Sequence, residues 1–183
     1  LPPVRGGATR QESVRAGLEA LAEHDPDFVL IHDAARPLVS SALIARVIAA
    51  LESGAPAAIP ALAVADTLRK QNSDGTWETV PREHMFRAQT PQGFAYASIL
   101  KAHREHEDES LTDDMALAEL AGLEIVVVAG EESNIKITTQ DDLAQAARLL
   151  GGASETRTAM GFDAHKFTSG DHIILCGVRI AHD

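Results

Sequence analysis

The charged residues best placed for chemistry lie in a short polar segment that directly follows an apolar run. The run Phe28-Val29-Leu30-Ile31 has the continuous apolar character of a β-strand covered on both faces. The segment His32-Asp33-Ala34-Ala35-Arg36-Pro37 comes next, and ligands of open α/β sheets bind outside the carboxyl ends of the strands. We expect Asp33 to face a metal ion or a ribose, and Arg36 to grip a phosphate. An Asp33–Arg36 salt bridge that ties down a loop is the alternative interpretation.

A glycine-rich segment near the start of the sequence is the second candidate. Gly6-Gly7 precedes Arg10 and Ser13, and apolar residues at helical spacing follow. A loop of this kind that opens a helix can offer free backbone N–H groups to an anion or to the edge of a base. Glycine and serine also begin many helices that bind nothing, so an ordinary helix start is the alternative.

Further polar residues fall at the ends of predicted strands or at loop edges, namely Asp66, Thr67, Arg82, Thr90 and Lys136. Each of them alone could be a solvated surface residue, but together they favour a phosphate-binding cage. Lys136 lies between Ile135 and Ile137, in a segment that we predict to be a short strand over residues 135–138. Its side chain would then point away from the face that the two isoleucines share.

The pair Asp163 and His165 is a candidate metal site. Side chains two residues apart share one face of a strand, so both could bind the same ion. A tetrahedral zinc site needs a third protein ligand, and a hydrogen-bonded pair on a strand is the alternative.

Strand and helix patterns alternate along the first 150 residues. Buried strands are predicted over residues 28–31, 57–64 and 125–128, and a polar hairpin over residues 67–80. Helices are predicted after a cap at Ser40 or Ser41, over residues 95–106, after Thr112-Asp113-Asp114, and from the Thr139–Asp142 cap to Leu150. Pro91 and Gly93 are interpreted as loop residues. This alternation predicts an α/β domain with a mostly parallel sheet and helices on both faces.

The character of the sequence changes near residue 150. Residues 151–158 are small and polar and are predicted to be a linker. Residues 159–183 read as the beginning of a second, α+β domain, because about 25 residues cannot bury a core alone.

Composition excludes several classes of protein. A net charge of −11 argues against a broad nucleic-acid surface. No apolar run approaches the roughly 20 residues of a membrane helix, and the first residues do not have the pattern of a secretory leader, so we do not expect a secreted protein. The single cysteine suits a reducing compartment, so we expect a cytoplasmic protein.

Seven of these features occur in one order along the sequence: Gly6-Gly7 with Arg10 and Ser13-Val14, the segment 32–37, Ala65-Asp66-Thr67, Arg82, Ala88-Gln89-Thr90-Pro91-Gln92, Thr112-Asp113-Asp114, and Asn134-Ile135-Lys136-Ile137-Thr138. In this order they resemble the 2-C-methyl-D-erythritol 4-phosphate cytidylyltransferase family, over about Val4 to Leu150. The tail, with residues 161–165 and 176–180, resembles the start of 2-C-methyl-D-erythritol 2,4-cyclodiphosphate synthase. Some bacteria fuse these two enzymes in this order.

The resemblance implies a nucleotidyltransferase-type fold with a protruding β-arm. It also implies a reaction in which CTP and methylerythritol phosphate give diphosphocytidyl-methylerythritol and pyrophosphate, as half of a bifunctional enzyme of the non-mevalonate isoprenoid pathway. The arm, matched by the 67–80 hairpin, crosses to a second subunit in the family. A dimer with shared sites is therefore implied, with a trimer possible through the cyclase half.

The resemblance also assigns roles to the candidate residues. The nucleotide would be bound by Gly7, Arg10, Ser13, Asp33 and Ala34. The sugar phosphate would be held by Arg36, Asp66, Thr67, Arg82, Thr90 and Lys136. Arg82, Lys136 and Asp33 would carry the catalytic step. Mg²⁺ is implied with the triphosphate, and Asp163 and His165 match two of three ligands of a divalent metal such as Zn²⁺ in the cyclase half.

Two alternatives stay open at this point. The family begins with a glycine-rich loop whose Arg and Lys embrace the triphosphate, and these 183 residues do not include it. A chain of these residues alone is expected to bind nucleotide without turning it over. The second alternative places the main activity in the metal-dependent cyclase half.

Overall fold

The computed structural model describes residues 2–107, 111, 113–151, 172–175 and 178–181. The chain divides into two compact units, Leu1–Gly152 and Ala153–Asp183. The helices of the first unit are α1 (Arg10–Ala20), α2 (Ser41–Glu52), α3 (Tyr96–Glu105), α4 (Asp114–Leu120) and α5 (Gln140–Leu149). Its strands are β1 (Phe28–Ile31), β2 (Ala57–Ala63), β3 (Leu68–Gln71), β4 (Trp77–Val80), β5 (Phe86–Ala88), β6 (Gln92–Ala95) and β7 (Ile125–Ala129).

Five strands form the central sheet, in which β2 has the most neighbours. Its first residues pair with β6 and its last residues with β5, while β7 runs along its other edge. β1 pairs with the far side of β6. Three strands, β1, β2 and β7, share one direction, as expected for a mainly parallel sheet. The pairing itself is mixed, because β5 and β6 run antiparallel to their neighbours.

Helices cover both faces of this sheet, which confirms the predicted α/β architecture. Successive residues of β2 point to opposite faces. Ala57 and Ile59 lie in a core with residues of α1, α3 and α4, whereas Ala58 packs with Val47 and Leu51 of α2. Of the two serines predicted as possible caps of α2, Ser40 is the cap, since its hydroxyl accepts the Leu43 N–H at 2.9 Å.

Gly93 lets α2 approach β6 closely. A Cβ atom at this position would lie 2.5 Å from Cγ1 of Val47 and 3.0 Å from Cδ1 of Leu51. The glycine that the sequence suggested as a loop residue is therefore inside a strand, because the helix needs the space.

The hairpin of β3 and β4 forms a separate two-stranded sheet with mostly exposed side chains, and it corresponds to the predicted β-arm. The predicted strand over residues 135–138 is wrong. Those residues form no strand, and one hydrogen bond, from the Ile137 N–H to the Ala35 carbonyl at 2.8 Å, joins them to the segment that follows β1.

In the second unit the structure describes two antiparallel strands, β8 (His172–Leu175) and β9 (Val178–Ala181). Among the described residues, no helix is long and apolar enough to cross a membrane.

Candidate active site

The site is built on the turn that follows β1. The strand ends at Ile31, and the Arg36 N–H donates to the Asp33 carbonyl at 2.9 Å, which closes a tight turn. Ala34 lies exposed within this turn. The apolar run becomes β1 and the polar turn emerges from its carboxyl end, as predicted. The expectation that this strand is covered on both faces is wrong, because Phe28 is exposed and only Ile31 of its four residues is buried.

Asp33 lies between two cations that come from distant parts of the chain. Its Oδ2 is 2.9 Å from the Lys136 ammonium and its Oδ1 is 3.7 Å from Nε of Arg10. Burial alone would raise the pKa of Asp33, but the hydrogen bond and charge of Lys136, helped by two nearby arginines, outweigh it and lower the pKa. The carboxylate is therefore ionised at neutral pH and cannot serve as a general base of ordinary strength.

Arg36 is anchored by backbone carbonyls and forms no ion pair with Asp33 within the described residues. Its Nη1 donates to the Asn134 carbonyl at 2.7 Å and its Nη2 to the Ala88 carbonyl at 3.4 Å, while its buried Nε has no partner in the described part of the chain. Burial lowers the pKa of Arg36, although the charge of Asp33 opposes this. The simple Asp33–Arg36 salt bridge, the alternative expected from the sequence, is therefore wrong.

Thr90 stabilises the turn through its side-chain hydroxyl. Its hydroxyl oxygen accepts the Asp33 N–H at 3.0 Å and lies 3.0 Å from Nδ1 of His32. His32 in turn contacts the Arg36 carbonyl through Nε2 at 2.9 Å. The Thr90 side chain is therefore engaged in shaping the turn, and it also lines the adjoining pocket.

Two buried amides position the segment that carries Lys136. Gln89 donates through Nε2 to the Glu131 carbonyl at 2.8 Å and accepts the Glu131 N–H at 3.0 Å. Asn134 donates through Nδ2 to the Thr90 carbonyl at 2.8 Å. Such buried hydrogen bonds fix backbone geometry because an unpaired polar group in the interior is costly, although Oδ1 of Asn134 has no partner in the described part of the chain. They supply the support that a regular strand would otherwise give.

The predicted cap of α5 is confirmed and anchors the other end of the Lys136 segment. The Asp142 carboxylate accepts the Thr138 N–H at 2.9 Å, the Thr138 hydroxyl at 2.8 Å and the Thr139 N–H at 2.8 Å. These hydrogen bonds, led by that of the Thr138 N–H, lower the pKa of Asp142 from 3.8 to about 2.

We expect Asp142→Asn to lower the free energy of unfolding at pH 7. The contribution of a carboxylate with a lowered pKa is complete above its unfolded-state pKa of 3.8 and is lost as the pH falls through about 2. The difference between wild type and variant should therefore shrink in that interval. Urea unfolding at pH 7 and near pH 3 measures it, with Asp141→Asn on the same helical turn as the control. A difference that does not shrink towards low pH would contradict this assignment.

The glycine-rich segment is organised by its own side chains. The Gly7 N–H donates to the Ser13 hydroxyl at 3.1 Å, and the Ala8 N–H donates to the Glu12 carboxylate at 2.7 Å. A Cβ atom on Gly7 would lie 2.3 Å from Cβ of Glu12, so this position needs glycine for close approach. The expectation of free N–H groups in this loop is wrong for these two residues, because helix-start side chains already occupy them.

A pocket of about 220 Å³ opens beside the turn. It brings together five of the predicted site residues, Arg10, Asp33, Arg36, Thr90 and Lys136, with Ala88, Gln89, Gln92 and Asp113. Arg36 and Lys136 also line a neighbouring pocket of about 350 Å³. Gln92 and Asp113 were missed as site residues. Both belong to ordered motifs that carry the family resemblance, and that membership was the signal that could have found them.

Asp66, Thr67 and Arg82 lie elsewhere, at the base of the β-arm. All three are exposed, and Arg82 donates through Nη1 to the Ala65 carbonyl, which keeps them in one neighbourhood. None of them lines either of the two pockets described above. Asp163 and His165 lie outside the described residues.

The pocket suits a metal ion that is bound mainly by a ligand's phosphates. The described residues contain no group of three or more His, Cys, Asp or Glu side chains able to hold a metal. Mg²⁺, however, is commonly held by one or two carboxylates, several waters and substrate phosphates. Asp33 lines the pocket and fits that pattern, whereas the two carboxylate oxygens of Asp113 already accept the Ala116 N–H at 2.9 Å and Nε2 of Gln92 at 3.2 Å.

Curated proteins similar to this chain are named as bifunctional enzymes. It is 54% identical over 180 residues to the bifunctional enzyme IspD/IspF of Paracoccus denitrificans, covering 98% of this chain and 47% of the relative. It is also 54% identical over 182 residues to the protein of the same name in Rhodospirillum rubrum, covering 100% of this chain and 47% of that protein. The chain therefore spans about half the length of these relatives.

Solved structures share the fold. The 2-C-methyl-D-erythritol 4-phosphate cytidylyltransferase of Thermus thermophilus is 39% identical with a TM-score of 0.73, over 82% of this chain and 77% of that one. The bifunctional IspDF of Campylobacter jejuni is 37% identical with a TM-score of 0.67, over 78% of this chain and 36% of that one.

The family model described as IspD, 2-C-methyl-D-erythritol 4-phosphate cytidylyltransferase, matches residues 2–151. This match covers the whole sheet, the β-arm and the pocket beside β1. It confirms the resemblance that the ordered motifs indicated. The chain belongs to the 2-C-methyl-D-erythritol 4-phosphate cytidylyltransferase family.

Proposed function

We propose that the protein transfers CMP from CTP to 2-C-methyl-D-erythritol 4-phosphate and releases pyrophosphate, as one half of a bifunctional enzyme. One observation supports this most strongly. At the end of β1, an ionised carboxylate, Asp33, lies in a pocket that Arg10, Arg36 and Lys136 also line. Such a cluster of cations suits a ligand with several phosphates, and the family of the chain has this activity in its name.

The reaction needs positioning and charge neutralisation more than acid–base chemistry. An oxygen of the sugar phosphate attacks the α-phosphorus of CTP, and the bond from that phosphorus to the bridging β-phosphate oxygen breaks. The attacking phosphate is already anionic at neutral pH, so no general base is required. The protein must align the two substrates in line and stabilise the charge that develops on pyrophosphate.

The predicted site residues divide between the two substrates in this proposal, although only some of them line the pocket beside the turn. Gly7, Arg10, Ser13 and Ala34 lie on the nucleotide side, with Asp33 near the ribose or the triphosphate. Lys136 and Arg36 neutralise the phosphates near the reacting centre, and Thr90 fixes the turn that presents Asp33. Mg²⁺ bound with CTP at Asp33 would supply further neutralisation of the triphosphate.

Asp66, Thr67 and Arg82 are proposed to act on the sugar phosphate of a partner subunit. Their position at the base of the exposed β-arm, outside the two pockets, supports this arrangement. The protein would then be at least a dimer, in which each arm completes the neighbouring site. A trimer through the cyclase half remains compatible with it.

The bifunctional names of the relatives support a division of the chain into two domains. We propose that residues 1–150 belong to the cytidylyltransferase half, that 151–158 link it to the next domain, and that 159–183 begin a cyclodiphosphate synthase domain. In that domain Asp163 and His165 would be two ligands of a divalent metal such as Zn²⁺. Both reactions are proposed to take place in the cytoplasm.

Pyrophosphate release from the full-length protein tests the proposed transferase activity. We expect release only when CTP, Mg²⁺ and methylerythritol phosphate are all present, and much slower release when UTP replaces CTP. Binding of CTP without release would favour a nucleotide-binding module. If the protein releases no pyrophosphate from CTP but turns over a later phosphorylated intermediate of the pathway, the cyclase half would be favoured as the main activity.

A further inference from the structure

A buried carboxylate and a buried histidine lie behind the pocket. Asp114, in the first turn of α4, has 2% of its side chain exposed, and His103 of α3 has 1% exposed. Oδ1 of Asp114 lies 3.1 Å from Nε2 of His103. A buried carboxylate is costly unless it is fully paired, so this arrangement requires a second partner on the other oxygen.

That partner comes from the pocket. Oδ2 of Asp114 accepts a hydrogen bond from Nη1 of Arg10 at 2.7 Å. Arg10 is the first residue of α1, keeps 35% of its side chain exposed and lines the pocket beside Asp33. A guanidinium has five N–H donors in a rigid fork, so one edge can be held by Asp114 while others face a ligand.

The same guanidinium has a second carboxylate within reach. Nε of Arg10 is 3.7 Å from Oδ1 of Asp33, beyond hydrogen-bonding distance, whereas Asp33 forms a 2.9 Å contact with Lys136. Asp114 therefore holds Arg10 back from Asp33. Without the charge of Asp114, Arg10 would move onto Asp33, compete with Lys136 and lose its orientation towards the pocket.

We propose that Asp114, itself held by His103, is a positioning residue that orients Arg10 for binding of CTP. This inference rests on the proposed function and adds to it a residue that lies behind the pocket wall. Asp114 acts through Arg10, so its effect should disappear when Arg10 is absent. A purely structural contribution would persist in that background.

Titration calorimetry of CTP binding to the full-length protein tests this with four variants. Asp114→Asn should weaken binding by roughly tenfold or more, as expected for loss of a charge-assisted hydrogen bond. Arg10→Ala should weaken it at least as much, and Asp114→Asn should add less than about twofold in the Arg10→Ala background. Glu107→Gln breaks the exposed ion pair of Arg15, which also lies on α1, and should leave the dissociation constant unchanged within about twofold.

The outcomes separate this inference from the proposed function. Wild-type protein that binds no CTP would overturn the proposed function and this inference with it. Wild-type protein that binds CTP, with Asp114→Asn binding equally well, would overturn the inference alone. An equal loss with and without Arg10 would do the same. If Asp114→Asn does not unfold cooperatively, Asp114→Ser, which keeps a hydroxyl for His103, takes its place with the same expected results.

Discussion

Replacing Lys136 by alanine is expected to lower the rate of CMP transfer by roughly 10²–10³-fold, as the loss of one donor to a developing oxyanion does. This corresponds to about 3–4 kcal/mol in the activation barrier. The ammonium group lies at the pocket beside Asp33, with its segment fixed by buried amides and by the α5 cap. Steady-state kinetics of pyrophosphate release measures the effect.

Lys101→Ala is the matched control for this prediction. Lys101 is an exposed lysine of α3 that pairs with Glu105 on the same helix, and it lines neither of the two pockets at β1. Its removal should leave turnover unchanged within about twofold, since exposed helical pairs contribute little. Near wild-type turnover of Lys136→Ala would contradict the assigned role of this lysine.

Replacing Arg82 by alanine is expected to lower turnover to a similar extent, even though Arg82 lies outside the pockets that Lys136 lines. The reason is the proposed exchange of β-arms, which would bring the guanidinium to the sugar phosphate of the partner subunit. Arg104→Ala is the control, because Arg104 forms an exposed pair with Glu19 away from the arm. Unchanged turnover of Arg82→Ala would show that Arg82 is not part of the site.

Mixing the two inactive variants tests the shared site. In a dimer of one Lys136→Ala and one Arg82→Ala subunit, one of the two sites has both groups intact. Random exchange of equal amounts should therefore restore roughly a quarter of wild-type activity. Mixed dimers that are formed but remain inactive would show that Arg82 serves the pocket of its own subunit.

Much of the fold was predictable because local chemistry and tertiary structure agree. The apolar run over residues 28–31 predicted the position of β1 but not its burial, because Phe28 at the start of the strand remains exposed. The caps at Ser40 and at Thr139 with Asp142 were readable because side-chain oxygens must satisfy the first N–H groups of a helix.

The errors arose where tertiary contacts override local rules. Pro91 and Gly93 are ordinary turn signals, yet β6 runs through Gly93 because α2 requires a position without a side chain. Conversely, the alternation around Lys136 resembles a strand, but the buried amides of Gln89 and Asn134 hold that segment without one.

Several residues of the site could be predicted from the sequence, but the contacts between them could not. Asp33 and Lys136 were both candidates, and nothing local to either indicated that they would contact each other. Free N–H groups in the glycine-rich segment were expected from its composition, but the nearby side chains of Ser13 and Glu12 bind them. The role of His103 could not be read at all, because a histidine within a helix says nothing about its partner.

Transfer of labelled phosphate is the most direct measurement of the central claim. Full-length protein is incubated with methylerythritol phosphate and Mg²⁺ and with CTP that carries ³²P at either the α or the γ position. We predict that the α label moves into a product that contains the methylerythritol unit, and that the γ label appears only in pyrophosphate. Retention of the α label in CTP, or its release as free CMP, would contradict the proposed transfer.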